Sequence, residues 1–339
     1  MFGDGWMKNV TMADIAKRTG YSINTVSHAL NDKPDISEKT KKYIIETAKS
    51  MGYIRNISAS ALRSGRTKTV AVIIGDISNP HFSVIIKEIE SELRKYNYTA
   101  IILNTDEDEE LERIAIISAI EKNVDGIIIC PVQKSEKNIR FLQKSGVKFT
   151  LIGRRFQNIS TPYVICDDEN GGYLAASYFL SKGHKNILFI NGESHVSSAC
   201  ERLAGVKRAF KEENVPLERL SVETVSVAEP ANSEKLANII NRYSDVTAII
   251  CFSDLIGMQV CHYLRQKGVA IPQDVSVMGF DNIASRFTFP VMLSSVTSSK
   301  TTMSCHAVKN LLAMINGESC DEQIVLPTTL VLRDTTINE

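Results

Sequence analysis

Residues 10–31 read VTMADIAKRTGYSINTVSHALN, and this stretch decides how the N-terminal part of the chain folds. Thr11, with Asp14 three positions later, forms an acidic variant of the capping box that marks a helix start. Gly20 ends that helix, and Ser22 is suited to cap the next one. Two short helices joined by a glycine-containing turn predict a helix-turn-helix unit.

The second helix of such a unit lies in the major groove of DNA, so its first turn faces the bases. Ile23, Asn24 and His28 are the predicted base contacts, because Ile packs against a thymine methyl and Asn bonds to adenine at two points. Hydroxyl side chains near the helix start suit phosphate contacts. The whole predicted DNA-contact set of this unit is Thr11, Ser22, Ile23, Asn24, Thr25, Ser27, His28 and Asn31. A small helical domain that binds another protein is the alternative interpretation.

Charge is unevenly distributed along the chain. Lys plus Arg and Asp plus Glu balance at 39 each over 339 residues, but residues 1–68 hold 12 basic and 6 acidic side chains. A basic N-terminal part favours a polyanion as its partner. No run approaches the ~20 apolar residues of a membrane span, and the first residues lack the pattern of a signal peptide. We therefore expect a cytoplasmic protein with no membrane partner.

The sequence carries no motif of enzymatic or metal chemistry. Its seven cysteines include no Cys-x-x-Cys pair, which disfavours a zinc site and a disulfide framework. Gly-x-Gly-x-x-Gly, phosphate-loop, Gly-x-Ser-x-Gly and His-Glu-x-x-His patterns are all missing. We therefore predict no catalytic residues, no metal and no cofactor, and a protein that is not an enzyme.

From about residue 68, short β-branched runs alternate with amphipathic helical stretches. This alternation predicts parallel sheets with helices on both faces, and two series of strands predict two doubly wound lobes. The predicted fold class is α/β, with a helix-turn-helix head on a two-lobed core. The predicted strands are Val70–Gly75, Ala100–Asn104, Gly126–Cys130, Phe149–Ile152, Tyr163–Cys166, Ile187–Asn191, Val222–Val225, Ala248–Phe252 and Val275–Gly279.

Polar side chains follow several of these strands. Ligands of open α/β sheets bind beyond the C-terminal strand ends, so the site is expected in the cleft between the lobes. Asp and Arg suit the hydroxyls of a sugar or nucleoside, and an aromatic face suits its ring. The predicted effector-binding set is Asp76, Ser78, Asn79, Phe82, Arg154, Arg202, Ser253, Asp254 and Asp281. Asp168, Asp254 and Asp281 also precede helices, so N-capping is their alternative role.

Three stretches together resemble the lactose repressor (LacI/GalR) family. Residues 10–31 follow its V-T-x-x-D-V-A-x-x-A-G-V-S-x-x-T-V-S-R/H-V-L-N head. Residues 52–62 follow its G-Y-x-P-N-x-x-A-x-x-L hinge, and residues 269–282, VAIPQDVSVMGFDN, match its I-P-x-D-V-S-V-x-G-F/Y-D-N stretch. The resemblance covers residues 8 to about 335.

The resemblance implies a role for the hinge. In the family this segment folds on operator DNA, and a Leu from each of two copies wedges into the minor groove, so Leu62 inherits that role. Arg55 stands where the family usually has Pro, which loosens the chain and offers a phosphate contact. A plain Ser- and Arg-rich linker is the alternative. The implied hinge contacts to DNA are Arg55, Asn56, Ala59 and Leu62.

The resemblance also implies a core like that of periplasmic binding proteins. In it Arg202 and Asp281 bind effector hydroxyls, Phe82 stacks on the effector ring, and Ser253 replaces a usual Asn. The implied organisation is a non-native or disordered tail at 1–7, a head at 8–55, a hinge at 56–67 and a core at 68–339. Within the core, one lobe takes about 68–166 and 299–323, and the other 167–298 and 324–339.

These observations predict a transcription regulator, most simply a repressor, controlled by a small molecule bound between the lobes. A single head reads few base pairs, so a homodimer on a pseudopalindromic operator is expected. The expected effector is a sugar or sugar derivative. The alternatives are a purine-type corepressor, or a core that acts as a solute-binding protein.

Overall fold

The computed structural model describes residues 10–54, 65–226, 233–285, 292–321 and 323–337. The chain forms two compact units, Met1–Thr67 and Lys68–Glu339. The predicted hinge contacts at Arg55, Asn56, Ala59 and Leu62, like the predicted tail at 1–7, lie outside the described residues.

Short helices build the first unit around a small apolar core. Ile15, Val26 and Ile44 are fully buried at its centre. Thr11 caps the first helix in a capping box with Asp14, as predicted. The helices are α1 (Met12–Thr19), α2 (Ile23–Leu30) and α3 (Glu38–Ser50).

Two six-stranded sheets build the second unit. The strands of the first sheet are β1 (Thr69–Ile74), β2 (Thr99–Asn104), β3 (Gly126–Ile129), β4 (Lys148–Ile152), β5 (Tyr163–Cys166) and β11 (Gln323–Leu326). Those of the second are β6 (Ile187–Asn191), β7 (Leu220–Thr224), β8 (Ala248–Cys251), β9 (Ser276–Phe280), β10 (Ser294–Thr297) and β12 (Thr329–Val331). Their orders are β11-β5-β4-β3-β1-β2 and β12-β10-β9-β8-β6-β7. Among the described strands, pairing is parallel except between β12 and β10.

Helices cover both faces of each sheet. Those on the first sheet are α4 (Pro80–Lys95), α5 (Glu109–Glu121), α6 (Lys137–Ser145) and α11 (Lys300–Asn316). Those of the second lobe are α7 (Asp168–Ser181), α8 (Ser197–Glu212), α9 (Ser233–Asn241) and α10 (Asp254–Gln266). Along β1, Val70 and Val72 pack towards α4 and α11, whereas Ala71 and Ile73 pack towards α5 and α6. The predicted α/β class with two doubly wound sheets is confirmed.

The chain crosses between the lobes three times: after β5, after β10 and after β11. The predicted lobe boundary at residue 323/324 would cut through β11, which pairs with β5 of the first sheet over its whole length. The structure therefore corrects this boundary to the segment after Leu326.

Candidate functional site

The outward face of α2 is the first candidate surface. Ile23 is 54% exposed, and Asn24 beside it is exposed as well. An exposed Ile at a helix start has no role in the head core, which leaves it available to a partner. Ser22 caps α2 by accepting a hydrogen bond from the Thr25 backbone N–H, and the two hydroxyls lie 2.9 Å apart.

Several other residues of the predicted DNA-contact set are buried in the head or form hydrogen bonds within it. Ser27 is only 6% exposed and lies on the inner face of α2, and its contact with a phosphate stays a prediction. The Asn31 amide donates to the Ser27 carbonyl oxygen at 2.6 Å, which ties it to the end of α2. The Thr11 hydroxyl donates to Asp14 at 2.7 Å. His28 lies 2.6 Å from Asp35, measured from Nδ1 to Oδ2.

The second candidate site is a cavity between the two lobes of the core, of about 80 Å³, with room for several water molecules or a small polar ligand. It is lined by Asp76, Asn79, His81, Phe82, Glu107, Cys130, Gly153, Arg154, Ser198, Arg202, Phe252, Ser253, Leu255, Ile256 and Asp281. Seven of the nine predicted effector contacts line it. The exceptions are Ser78, which donates to Asp76 through its backbone N–H and hydroxyl, and Asp254.

On the first lobe, a buried ion pair forms part of the cavity wall. Arg154 donates from Nη1 and Nη2 to the two carboxylate oxygens of Glu107, at 2.7 and 2.8 Å, and from Nη1 to the Pro131 carbonyl oxygen. Gly75 makes room for this pair, since a Cβ there would lie 2.2 Å from Glu107 Oε1. The positive charge of Arg154 is therefore already compensated.

On the second lobe, Arg202 is compensated in the same way. Its Nε donates to Asp168 at 2.7 Å, and its Nη1 donates to the Phe252 carbonyl oxygen. The guanidinium carbon lies 3.8 Å from the ring centroid of Phe280 and 4.6 Å from that of Phe252. This double cation–π contact fixes the plane of the guanidinium.

Residues from both lobes meet across the cleft. His81 Nδ1 lies 3.1 Å from Asp281 Oδ1, but the two are not aligned for a hydrogen bond. On another part of the cleft, Arg155 donates from Nε to Glu201 at 2.9 Å, and the Ser197 N–H donates to Gln133 Oε1 at 2.9 Å. The observed cleft is therefore held together by direct contacts between the lobes.

Two neighbouring carboxyl groups of the second lobe have opposite pKa shifts. Burial, and then the negative charge of Asp281, raise the pKa of Asp254 to about 8. Burial alone would raise the pKa of Asp281, but His81, Arg202 and Lys300 hold it below its usual range. Asp254 therefore stays largely neutral near pH 7, while Asp281 presents a negative charge to the cavity.

The structure gives Asp254 an internal role in place of the predicted effector contact. Its Oδ1 lies at hydrogen-bond distance, 2.6 Å, from the Ser295 hydroxyl, and its Oδ2 accepts a hydrogen bond from the Ile283 N–H at 2.8 Å. Ser253, the residue before it, caps α10. Asp254 thus links α10 to the loop after β9 that carries Asp281.

We expect Asp254→Asn to flatten the fall in stability of the core between pH 5 and 8. Because the pKa of Asp254 is raised on folding, the native state binds the proton that the unfolded state releases, and stability falls as pH rises through this window. The slope is at most about 1.4 kcal/mol per pH unit. Melting temperatures of both proteins from pH 5 to 8 measure it. Parallel curves would contradict the neutral state of Asp254.

Sequence reasoning missed four polar or aromatic residues that line the cavity: His81, Glu107, Ser198 and Phe252. His81 stands beside Phe82, which the sequence predicts to stack on the effector ring. Phe82 is buried in the core of the first lobe and meets His81 edge-on, with ring centroids 5.2 Å apart. The acidic run at 106–110 after β2 was a readable signal for Glu107, since that strand also ends at the cleft.

Two family models together match most of the chain. One, described as bacterial regulatory proteins of the lacI family, matches residues 11–56. The other, described as periplasmic binding proteins and sugar binding domain of the LacI family, matches residues 67–329. This chain belongs to the LacI family. It is accordingly a DNA-binding transcription regulator under the control of a small-molecule effector, and not an enzyme.

Curated relatives and solved structures agree with membership of the LacI family. Catabolite control protein A of Priestia megaterium is 30% identical over 331 residues, which cover 97% of this chain and 99% of the relative. The transcriptional repressor PurR of Vibrio vulnificus is 29% identical over 334 residues, covering 96% and 98%. The Lac repressor dimer bound to operator and the anti-inducer ONPF has a TM-score of 0.85 at 20% identity, covering 97% and 100%. That last likeness concerns the fold alone.

Within the part of the chain that the structure describes, no helix is long and apolar enough to span a membrane. The same described residues contain no group of three or more His, Cys, Asp or Glu side chains placed to hold a metal ion.

Proposed function

We propose that this LacI-family regulator is a repressor that acts in the cytoplasm, reads a pseudopalindromic operator with α2 and responds to an uncharged sugar in the cleft. The observation that carries the effector assignment is the pairing of both cleft guanidinium groups with carboxylates, Arg154 with Glu107 and Arg202 with Asp168. The DNA-reading assignment is supported by the exposed, unpartnered Ile23 and the exposed Asn24.

The charges of the cleft favour a neutral polyhydroxy ligand. Among the lining residues, Asp76, Glu107 and Asp281 outnumber Arg154 and Arg202. A phosphate or carboxylate would meet this net negative wall with no uncompensated guanidinium to pair with. Hydroxyl groups, in contrast, donate to carboxylates and accept from imidazole and guanidinium N–H groups. This narrows the expected effector from any sugar or sugar derivative to an uncharged sugar.

A purine effector is less well supported. Phe82 is buried in the lobe core and presents little of its ring to the cavity, and one face of Phe252 is taken by Arg202. A LacI-family regulator from Enterococcus faecium with bound ribose has a TM-score of 0.71 at 27% identity, covering 79% of this chain and 98% of that one. The resemblance supports a sugar in the same fold.

We further propose a homodimer. Strand β2 is an outer strand of the first sheet, and Ile101, Ile102 and Leu103 on it are only half-buried. An edge strand with such side chains is a template for pairing with a second copy. In the dimer, effector binding changes the relative orientation of the two lobes of each core. The interface between the two copies transmits that change to the DNA-binding units.

We expect Asn24→Ala to relax base preference at one operator position while leaving salt-dependent nonspecific binding intact. Loss of a bidentate contact to adenine removes about 1–3 kcal/mol of discrimination, whereas phosphate contacts are unaffected. A randomised-site selection followed by titration on the selected duplex measures both. Ser50→Ala, at the exposed end of α3, is the matched control. An unchanged base preference would remove Asn24 from the reading surface.

A further inference from the structure

Helix α8 of the second lobe begins at the cleft without a capping side chain of its own. Val196 occupies its N-cap position, and an isopropyl group has no atom that accepts a hydrogen bond. By contrast, Asp167 caps α7 and Ser253 caps α10 through side-chain oxygens. The backbone N–H groups in the first turn of a helix need acceptors from outside that helix. The start of α8 therefore depends on acceptors that other segments supply.

The first lobe supplies such an acceptor through a closed ring of three hydrogen bonds. The Ser197 N–H donates to Gln133 Oε1 at 2.9 Å, and Gln133 Nε2 donates to the Arg155 carbonyl oxygen at 2.7 Å. The Arg155 N–H completes the ring by donating to Ser197 Oγ at 3.2 Å. Gln133 has a φ of +69°, a conformation that persists in residues other than Gly where several contacts fix the residue. Gln133 thus gives α8, from the opposite lobe, the acceptor that Val196 lacks.

A second bond between the lobes lies one turn further along α8. Arg155 Nε donates to Glu201 Oε1 at 2.9 Å, and Glu201 stands four positions after Ser197, on the same side of the helix. Among the described residues, the next ones in sequence, Ser198 and Arg202, line the cavity, whereas Ser197 and Glu201 do not. Contacts to the first lobe and contacts to the cavity therefore alternate along the first two turns of one helix.

Separation of the lobes removes this external cap. The ring joins Gln133 to the opposite lobe, so it exists only while the cleft is closed. On opening, the Ser197 N–H loses its acceptor, and helix ends are where fraying begins. Arg202 is held further along the helix by Asp168, but Ser198 lies within the first turn. Closure of the cleft is therefore coupled to the order of the end of α8 that lines the cavity.

We propose that Gln133 is a positioning residue, which caps α8 from across the cleft and so holds the cavity-lining start of that helix in place for the effector. This inference deepens the proposed sugar-binding role of the cleft and rests on it for one of its two tests. A ligand that binds only the closed state loses apparent affinity in proportion to the fraction of protein that is open. Removing the cap favours the open state and weakens sugar binding, although Gln133 itself does not line the cavity.

The first test is Gln133→Met in the full-length protein without added sugar, followed by hydrogen exchange with mass spectrometry. Methionine keeps the length of the side chain but replaces the amide by a thioether, which is a much weaker acceptor. We expect the amides of residues 197–202 to exchange about 10-fold faster, as for one lost hydrogen bond, while those of α7 keep their rates. A residue that served only its own loop would change exchange at 130–135 and 153–156 alone. Unchanged exchange at 197–202 would overturn the inference.

Gln143→Met is the matched control. Gln143 also donates from Nε2 to a backbone carbonyl oxygen, that of Ser160 at 3.0 Å, but both residues belong to the first lobe. This variant should leave hydrogen exchange along α8 at the wild-type rate. Equal acceleration in the two glutamine variants would show that the loss of protection does not come from the cap.

Ser197→Pro tests the same contact from the second lobe and leaves Gln133 in place. Proline suits the first position of a helix and has no N–H there, so α8 keeps its start while its bonds to Gln133 and to the Arg155 N–H are lost. Isothermal titration calorimetry with D-ribose, D-glucose and cellobiose measures binding. For a sugar that binds the wild type, we expect Ser197→Pro and Gln133→Met each to bind about 10-fold more weakly.

The two tests separate failure of the inference from failure of the proposed effector. Wild-type sugar affinity in both variants would overturn the positioning role of Gln133 while leaving the sugar effector in place. If none of the three sugars binds the wild type, the proposed sugar effector loses its support. In that case hydrogen exchange at 197–202 still decides whether Gln133 caps α8 across the cleft.

Discussion

Gly205→Ala is expected to lower the melting temperature of the core by roughly 10 °C, equivalent to about 3–5 kcal/mol, and to cut the soluble yield. Gly205 lies on α8 where it crosses α7. A Cβ at this position would lie 1.8 Å from the Glu169 carbonyl oxygen and 2.6 Å from the Tyr173 backbone nitrogen. Backbone atoms cannot rotate away, so the two helices would have to separate. Differential scanning fluorimetry on the purified protein measures the shift.

The crossing of α7 and α8 also explains why Gly205→Ala is expected to affect the cleft. On the facing helix, a Cβ at Gly172 would lie 2.1 Å from the Arg202 carbonyl oxygen. Since α7 carries Asp168 and α8 carries Arg202, separating the helices also pulls apart the ion pair that lines the second lobe. Effector response should therefore be lost together with stability.

A glycine of α10 provides the matched control for Gly205. A Cβ at Gly257 would meet chiefly the end of the Leu293 side chain, at 2.7 Å, which can move. Replacing a helical Gly by Ala also favours the helix by up to about 1 kcal/mol. Gly257→Ala should therefore change the melting temperature by only a few degrees. Similar melting temperatures for the two variants would show that the α7–α8 crossing is more tolerant than its backbone contacts indicate.

The features that the sequence predicted well were those that depend on local residue patterns. Thr11 and Ser22 cap the first two helices of the head because an N-cap depends only on a hydroxyl and the next three residues. The β-branched runs of the core were equally readable, because strands buried on both faces of a parallel sheet have little room for polar residues. These local patterns were enough to predict the helix-turn-helix head and the two doubly wound lobes.

Contacts between residues far apart in the sequence could not be predicted in the same way. Glu107 and Arg154 are 47 residues apart and meet only because β2 and β4 end at the same edge of the sheet. The residues that cap α7 and α10 are Asp167 and Ser253. Each lies one position before the Asp, Asp168 or Asp254, for which the sequence left N-capping as an alternative role. That shift leaves Asp168 to pair with Arg202 and Asp254 to bind Ser295. Single-residue register is set by packing, which a lone sequence does not reveal.

Glu107→Gln is expected to lower the melting temperature by roughly 10 °C and to reverse the charge preference of the cleft. Removing one partner of a buried ion pair leaves the other charge uncompensated, at about 3–5 kcal/mol. Arg154 would then face the cavity as an unpaired guanidinium. We expect 10 mM inorganic phosphate or D-gluconate to raise the melting temperature of this variant but not of the wild type, since an anion that binds only the native state stabilises it.

An exposed pair of the same geometry is the control for Glu107. Arg94 contacts Glu90 through Nε and Nη2 on the surface of α4, where the two side chains are largely solvated. Glu90→Gln should cost under about 1 kcal/mol and create no response to anions. Equal destabilisation by the two substitutions would show that the Arg154 pair is not buried in solution. Stabilisation of the wild type by phosphate or gluconate would show instead that its guanidinium groups are available, and the effector would then be a charged sugar derivative rather than a neutral one.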